Sequence, residues 1–309
     1  MKRREFAKLL GINIAAMAIH QSLPAPTKPQ VAITMDDFGL FGASDEEQVG
    51  NSRAILDALR KHSNLKAAAF ICGLRVDNPA GKRIVQMWND EDHLLANHTY
   101  SHWEYHERNV DEFARDIQRC EDLLKDYPRF TKLFRFPYLK EGNTPERRDK
   151  LRAILKARGY KNGHVTIDAS DWYVDSRLRE RLKSNPNADL NGYRQFYLDH
   201  IWERANYYDD LSHKVLGRSV KHTLLIHHNL LNKLFLDALL AMFERKGWQL
   251  INAGEAFADP VFNAEPESLP AGESLIRALA KESKKFERLL RYPGEDGEYE
   301  KAAMDRLGL

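Results

Sequence analysis

Seven short apolar runs, separated mostly by helical patterns, constrain the fold more than any other feature of this chain. Each run has the length of a buried β-strand. The runs are Gln30–Met35, Lys66–Cys72, His93–Ala96, Lys132–Phe136, His164–Ile167, His222–Ile226 and Trp248–Asn252. Alternating strands and helices are typical of a parallel sheet covered by helices. Seven such units predict an α/β protein built as a distorted (β/α)7 barrel rather than as an open sheet.

The predicted helices have recognisable ends. They cover Asp45–Lys61, Pro79–Asn89, Val110–Asp126, Pro145–Arg158 and Leu231–Lys246. Thr144 before Pro145 is the expected pair of an N-cap residue and a first-turn proline. Gly159 and Gly247 follow two of the helices, as glycine does where a helix ends.

The chain divides into three segments. Residues 1–29 read as an export signal and linker, 30–262 as the domain with the seven strands, and 263–309 as a charged helical C-terminal extension. The extension is expected to pack on the barrel or to be partly disordered, and no chemistry is predicted there. Within the domain, the long connection Tyr173–Lys221 contains an aromatic-rich helical stretch. We expect a packing face, with a lid or subsite wall as the alternative.

The N-terminus has the shape of an export signal. Four bases and one acid within the first ten residues precede an apolar run too short to span a bilayer comfortably. The pair Arg3-Arg4, followed by Phe6, resembles a twin-arginine signal, which exports folded proteins from the bacterial cytoplasm. These features predict a protein of the periplasm or cell envelope, with no stable membrane span after signal removal. An amphipathic N-terminal helix is the alternative.

The net charge argues against a nucleic-acid-binding protein, and the cysteine spacing argues against a metal site with cysteine ligands. The formal charge of +2 becomes −1 when the first 25 residues, with four bases and one acid, are left aside. A near-neutral chain is unsuited to binding the phosphate backbone of nucleic acids. Cys72 and Cys120 lack the spacing of metal ligands. We expect two buried free thiols, although an oxidising compartment would permit a disulfide.

A histidine pair and an aspartate pair predict a catalytic metal site. His98 and His102 are four residues apart, so on a helical turn both imidazoles would face one metal ion. The pair Asp36-Asp37 offers a third ligand and, beside it, a carboxylate that could act as general base. Three protein ligands leave coordination positions open, as catalytic sites do. Thr99 stands where a metalloprotease helix needs glutamate, which excludes that class.

Further polar and aromatic candidates follow the fourth, fifth and sixth predicted strands. They are Arg135, Tyr138, Asp171, Trp172, His227 and His228. The carboxyl ends of parallel barrel strands form the face on which α/β barrels carry their active sites. We therefore expect these side chains to converge on the metal site, and this convergence predicts a metal-dependent hydrolase.

Five short motifs occur in order at these strand ends. They are Thr34-Met35-Asp36-Asp37, His98-Thr99-Tyr100-Ser101-His102, Arg135-Phe136-Pro137-Tyr138, Asp168-Ala169-Ser170-Asp171-Trp172 and Leu225-Ile226-His227. Together they resemble the motifs of the polysaccharide deacetylase family, carbohydrate esterase family 4. The resemblance covers about residues 28–262 and implies a barrel of the NodB homology type.

The resemblance implies an acid–base pair. Asp36 would be the general base, and Arg135 would orient it and tune its pKa. His227 would be the general acid, and Asp171 would tune its pKa. His228 is the alternative for the acid, although the Leu-x-His spacing and the strand end favour His227.

The resemblance also implies a metal centre and a substrate pocket. Asp37, His98 and His102 would hold one divalent ion, Zn²⁺ in the first place, with Co²⁺ or Ni²⁺ as alternatives. The backbone N–H of Tyr138 would bind the oxyanion, and Trp172 would wall the acetyl pocket.

An acetylated glycan is therefore the expected partner. The family pattern implies removal of N-acetyl groups from an amino sugar, with O-deacetylation of a polysaccharide such as xylan as the first alternative. Hydrolysis of a non-sugar amide or imide on the same fold is the second. A catalytically inactive glycan-binding protein is the third, and the intact set of acid, base and ligand residues argues against it. The sequence leaves the oligomeric state open.

Overall fold

The structure, a computed structural model, describes residues 28–38, 44–294 and 297–309. The predicted export signal lies outside the described residues, apart from the end of its linker. No helix in the described ranges combines the length and the apolar composition that a membrane span requires.

Parallel strands form the centre of the domain. The strands are β1 Gln30–Asp36, β2 Ala68–Ile71, β3 Leu94–Asn97, β4 Phe130–Phe134, β5 Lys140–Gly142, β6 Lys161–Asn162, β7 Lys221–His227, β8 Gln249–Leu250 and β9 Ala271–Gly272. The main sheet has the order β6-β4-β3-β2-β1-β7, and β8 pairs with the start of β1. The two short strands β5 and β9 form a separate antiparallel pair.

The sheet curls into the predicted distorted barrel because one stretch of chain reaches both of its edges. β6 pairs with β4 at one edge, and Ile167 makes a parallel bridge to Leu224 of β7 at the other. The predicted fifth strand, His164–Ile167, was therefore wrong in extent. Gly163 marks the crossing between the edges: a Cβ there would lie 2.4 Å from the ring of Phe70, so the crossing needs glycine.

The predicted helices all form, with ends within two residues of the predicted ones. The helices are α1 Asp45–Lys61, α2 Gly73–Val76, α3 Pro79–Asp90, α4 Val110–Leu124, α5 Pro145–Ala157, α6 Asp171–Ser184, α7 Asn191–Leu216, α8 Leu230–Arg245, α9 Ala253–Ala256, α10 Leu275–Ser283 and α11 Glu298–Arg306. Side chains of Ser44, Asn78 and Thr144 cap α1, α3 and α5 by accepting backbone N–H bonds.

The aromatic-rich stretch of the long connection belongs to α7, and it packs rather than covers the site. Tyr193, Tyr197 and Tyr208 are buried in the main core cluster. The packing interpretation of this stretch is thus confirmed, and the lid alternative is wrong for these three side chains. Cys72 and Cys120 are buried free thiols, as predicted.

The C-terminal extension is part of the folded body. Its short strand β9 pairs with β5 of the barrel domain. Its helix α10 contributes Leu275 and Ile276 to the main core cluster, and α11 contributes Met304. Burial of these apolar side chains makes the extension an integral layer of the domain.

Candidate active site

The carboxyl ends of the parallel strands bring the predicted site residues together. Asp36 ends β1, His227 ends β7, and the two are register partners on neighbouring strands. A cavity of about 340 Å³ opens at this edge. It is lined by Asp36, Asp37, Arg75, His98, His102, Tyr138, Leu139, Trp172, Leu225 and His227. Seven of the nine predicted residues line this cavity, and Arg135 and Asp171 lie behind it.

Three of these residues could hold one metal ion. One ligand atom from each of Asp37, His98 and His102 lies within 4.8 Å of the others. Asp37 Oδ1 is 3.1 Å from His102 Nε2 and 3.8 Å from His98 Nε2. Asp37 Oδ1 is also buried without a hydrogen-bond partner, which a bound cation would satisfy. The mixed imidazole and carboxylate donor set suits a divalent transition metal.

The protonation states of the three residues favour metal binding. His98 Nδ1 donates to the backbone carbonyl of Arg135 at 2.9 Å, which leaves Nε2 unprotonated toward the cavity. Burial lowers the pKa of His98 and of His102 to about 4, so both are neutral near pH 7. Burial alone would raise the pKa of Asp37, but His102 and Arg75 outweigh it and lower that pKa to about 2.

The histidine pair does not lie on a helical turn, which corrects the prediction. Residues 98–104 form an irregular loop after β3. Thr99 and His102 have φ angles of 64° and 55°, and the Thr99 hydroxyl accepts the His102 N–H at 3.0 Å. Asp116 of α4 holds the loop by accepting the N–H groups of Tyr100 and Ser101. The tight loop thus brings the two imidazoles together, with 5.0 Å between ring centroids.

Asp36 is a buried carboxylate fixed by an arginine. Arg135 Nη1 donates to Asp36 Oδ1 at 2.6 Å and to the Thr34 hydroxyl at 2.9 Å. Arg135 Nε donates to the carbonyl of Gly163, and its guanidinium lies 3.8 Å from the ring centre of Phe70. Burial raises the pKa of Asp36, and Arg135 opposes this effect. The carboxylate is therefore held in one orientation with a proton affinity above the ordinary one, as a general base requires.

His227 is paired with a buried aspartate on the other side of the cavity. Its Nδ1 lies 2.7 Å from Asp171 Oδ1. Asp171 Oδ2 also accepts the backbone N–H of His227 and the side-chain amides of Asn229 and Asn232. Burial would lower the pKa of His227, but Asp171 outweighs it and raises that pKa to about 10. The imidazolium can therefore persist at neutral pH.

The neighbouring histidine faces the interior. His228 is buried and stacks on Phe38, with ring centroids 4.5 Å apart. It does not line the cavity. His228 directly follows β7, and its ring packs against Phe38 of the core instead of facing the cavity. The structure thus places His227 in the cavity.

Two aromatic residues frame the opening. Tyr138 is 43% exposed, and its ring centroid lies 4.8 Å from that of His102. Trp172 lines the same cavity, and its indole N–H donates to the carbonyl of Gly294 at 3.0 Å. Both positions are compatible with contacts to a substrate.

Left-handed backbone conformations concentrate at this edge. The φ angles of Asp37, Tyr138 and Leu139 are 62°, 55° and 51°. Each such conformation costs about 1–3 kcal/mol in a residue other than glycine, and such strain is concentrated at functional sites. The surrounding structure thus holds these three residues in a strained, left-handed backbone conformation at the cavity.

Arg75 is a residue of the cavity that sequence reasoning missed. Its Nη1 lies 3.0 Å from Asp37 Oδ2. It follows β2 at the same carboxyl edge as the other site residues. That position after a predicted strand was the available signal, although no motif surrounds it.

The first prediction concerns metal binding. We expect the chain to bind one equivalent of Zn²⁺, and the His102→Asn variant to bind it at least ~100-fold more weakly, because lost second-shell partners alone cost 10–100-fold. Asparagine tolerates the positive φ of this position, so the backbone is spared. Equilibrium dialysis with metal analysis measures both affinities. His213→Asn changes an exposed histidine of α7 and should keep full affinity; equal Zn²⁺ binding by all three proteins would contradict the assignment.

Comparisons with known proteins agree with this geometry. Residues 24–163 match the family model described as polysaccharide deacetylase. A curated relative, a peptidoglycan-N-acetylglucosamine deacetylase of Bacillus cereus, is 34% identical over 112 residues. That match covers 36% of this chain and only 37% of the relative, so the chain spans little more than a third of its length.

Solved structures show the same fold at low sequence identity. A polysaccharide deacetylase from Bacillus cereus aligns with a TM-score of 0.50 and 19% identity, over 73% of this chain and 92% of that one. A carbohydrate esterase family 4 pseudoenzyme from Bacillus anthracis aligns with a TM-score of 0.50 and 19% identity, over 75% of this chain and 66% of that one. The fold is therefore shared by an enzyme and a pseudoenzyme, and activity must be argued from the residues.

The family model covers the first three of the five motifs, and the barrel fold is shared over 73% of the chain. The chain is thus similar to polysaccharide deacetylases in sequence over residues 24–163, and it shares the fold of solved structures of carbohydrate esterase family 4.

Proposed function

We propose that this protein is a metal-dependent hydrolase that removes N-acetyl groups from amino sugars of a glycan. The observation that carries the proposal is one cavity with a candidate metal triad between a carboxylate base and an imidazolium acid. Asp37, His98 and His102 form the triad, and Asp36 and His227 line the same cavity. An inactive binding protein would have no need of a fixed base and an acid with a raised pKa.

The reaction divides between the two sides of the cavity. A metal held by the triad supplies a Lewis acid that polarises the acyl carbonyl and makes water more acidic. Asp36 takes a proton from the water that attacks the acyl carbon. His227 gives its proton to the departing amine nitrogen as the C–N bond breaks. The products are acetate and a free amino sugar.

Two further groups support this reaction in the proposal. The backbone N–H of Tyr138 donates to the oxygen that becomes negative in the tetrahedral intermediate. Trp172 forms a wall of the pocket for the acetyl methyl group. Arg135 and Asp171 act through the groups they hold, because both lie behind the cavity in contact with Asp36 and His227.

We take N-acetylglucosamine in a cell-wall glycan as the first substrate to test. Support comes from the name of the curated relative, a peptidoglycan-N-acetylglucosamine deacetylase. The predicted export signal would deliver the protein to the envelope, where such a glycan occurs. Zn²⁺ is the first metal to test, because nitrogen and carboxylate ligands in an open site suit it.

Acetate release tests the proposal. The protein is stripped of metal, resupplied with Zn²⁺ or Co²⁺, and incubated with chitooligosaccharides, peptidoglycan or acetylxylan. We expect metal-dependent acetate release from the N-acetylated substrates. Release from acetylxylan alone would identify an O-acetyl esterase instead. Failure to release acetate from any substrate, with one metal ion bound, would reject deacetylation of these glycans.

A further inference from the structure

The C-terminal extension contacts a loop of the barrel domain that carries two of the candidate site residues. Residues 168–172, here called the acid loop, run from the bridge at Ile167 into the first turn of α6 and contain Asp171 and Trp172. Gly294 of the extension donates its N–H to Asp168 Oδ2 at 2.6 Å and accepts the indole N–H of Trp172 at 3.0 Å. One residue of the extension therefore holds both ends of the acid loop.

The packing at these contacts leaves no room for a side chain. A Cβ on Gly294 would lie 2.3 Å from Asp168 Oδ1. A Cβ on Gly297 would lie 2.8 Å from Trp172 Cη2, from Trp172 Cζ2 and from Tyr173 Cδ2. Gly297 has φ −58° and ψ −14°, which any residue adopts. Glycine is therefore needed at 297 for space against the Trp172 indole and the Tyr173 ring, and not for backbone freedom.

A buried polar network fixes the middle of the acid loop. Glu300 of α11 is 5% exposed, accepts the Tyr292 hydroxyl at 2.8 Å and lies 3.5 Å from the Ser170 hydroxyl. His200 of α7 accepts the Ser170 N–H at 3.0 Å, and its other ring nitrogen is 3.5 Å from Glu300. Arg204 donates to the carbonyl of Tyr292. Buried polar groups that satisfy one another hold a loop in one conformation.

The acid loop therefore lies between two anchors. On the inner side, Asp171 accepts hydrogen bonds from His227, Asn229 and Asn232. On the outer side, Gly294, Gly297 and Glu300 close against Asp168, Ser170 and Trp172. Trp172 is the member of the loop that lines the cavity. The extension thus contacts the one residue of this loop that lines the cavity.

We propose that the C-terminal extension is a positioning element of the active site: Gly297 and Gly294 set how far Trp172 enters the acyl pocket and thereby determine which acyl groups fit. This inference rests on the proposed function for its substrate class. The contacts that carry it are independent of that function.

The test uses the full chain with one methyl group added behind the indole. Gly297→Ala should push Trp172 toward the cavity and narrow the acyl pocket. One methyl group in an apolar pocket discriminates roughly 10–200-fold. We therefore expect the ratio of kcat/KM for N-acetyl over N-formyl chitooligosaccharide to fall about tenfold. Gly50→Ala is the matched control, because a Cβ at that helical position meets nothing within 4 Å.

A second variant and a second readout separate positioning from folding and from function. Glu300→Gln weakens the anchor without changing its size and should raise acceptance of an N-propionyl substrate relative to N-acetyl. In protein labelled with 5-fluorotryptophan, the Trp172 signal is identified among five tryptophans by Trp172→Phe. Gly297→Ala should shift that ¹⁹F signal, and Gly50→Ala should not.

The outcomes are distinct. A shifted Trp172 signal supports the positioning role even if the unmodified protein hydrolyses no acyl substrate, a result that would reject the proposed function alone. An active Gly297→Ala variant with the acyl preference of Gly50→Ala would overturn the inference. So would a Trp172 signal that Gly297→Ala leaves unmoved.

Discussion

The Asp36→Asn variant is expected to lose acyl hydrolysis while it retains its metal. An amide cannot take the proton from attacking water, and a positioned base contributes about 10²–10⁴-fold to the rate. We expect kcat/KM at pH 7 to fall by that factor. The triad of Asp37, His98 and His102 is unchanged, so the Zn²⁺ affinity should fall less than tenfold. Acetate release and equilibrium dialysis on the same preparation measure the two quantities.

Thermal unfolding shows whether this loss is chemical or structural. Breaking a buried ion pair outright costs about 3–5 kcal/mol, because one charge stays buried without its partner. The amide oxygen of Asp36→Asn can still accept the hydrogen bond that Arg135 Nη1 donates at 2.6 Å. The loss of stability should thus be smaller than for a broken pair, and the variant should be folded at the assay temperature. Full activity in a folded Asp36→Asn protein would remove Asp36 from the role of base.

The sequence was most informative about the site where aspartate or histidine residues directly follow or end an apolar strand. β1 is buried from Val31 to its last residue, Asp36, and Asp37 follows directly. β7 is apolar from Leu224 to Ile226 and ends at His227. Parallel strands end at one edge, so the strand pattern alone predicts that these groups meet. The family resemblance then added the roles, which composition and spacing do not supply.

The sequence pattern did not predict the backbone conformation of the loop that carries the two histidines. A spacing of four residues suggested a helical turn for His98 and His102, but Thr99 and His102 adopt φ angles of 64° and 55°. That backbone depends on Asp116 of α4, which accepts N–H groups of the loop from 15 and 16 residues away. Hydrogen bonds with a distant side chain leave no periodic signal. The break in the predicted fifth strand at Gly163 also depends on residues distant in sequence. The residues on its two sides pair with opposite edges of the sheet.

The extension shows the same limit more clearly. Gly294 and Asp168 are 126 residues apart and still share a hydrogen bond. Nothing in a charged helical segment indicates that its glycines pack on the acid loop. Only the tertiary structure shows this role, because the sequence does not distinguish a glycine that is needed for space from one that is needed for a turn.

The Asp171→Asn variant is expected to lose activity mainly on the alkaline side. Asp171 raises the pKa of His227 to about 10 against the effect of burial. In the unmodified protein, the imidazolium is present below that pKa and is lost as the pH rises through it. Without the carboxylate charge, burial should bring the pKa to about 6.5 or lower, the ordinary value for histidine. The variant should then lack its acid at pH 8 and recover part of it as the pH falls toward 6.

The pH profile of kcat/KM distinguishes this effect from general damage, because it reports the pKa values of the free enzyme. We expect the alkaline limb of Asp171→Asn to move down by at least about two pH units, with activity at pH 8 reduced about 10²–10⁴-fold. Asp175→Asn is the matched control: it removes a buried charge one turn along α6 that accepts the Leu231 N–H and pairs with Arg179. Its alkaline limb should stay in place. A uniform loss of activity in Asp171→Asn, with an unmoved limb, would mean that Asp171 only supports the fold and that the acid lies elsewhere.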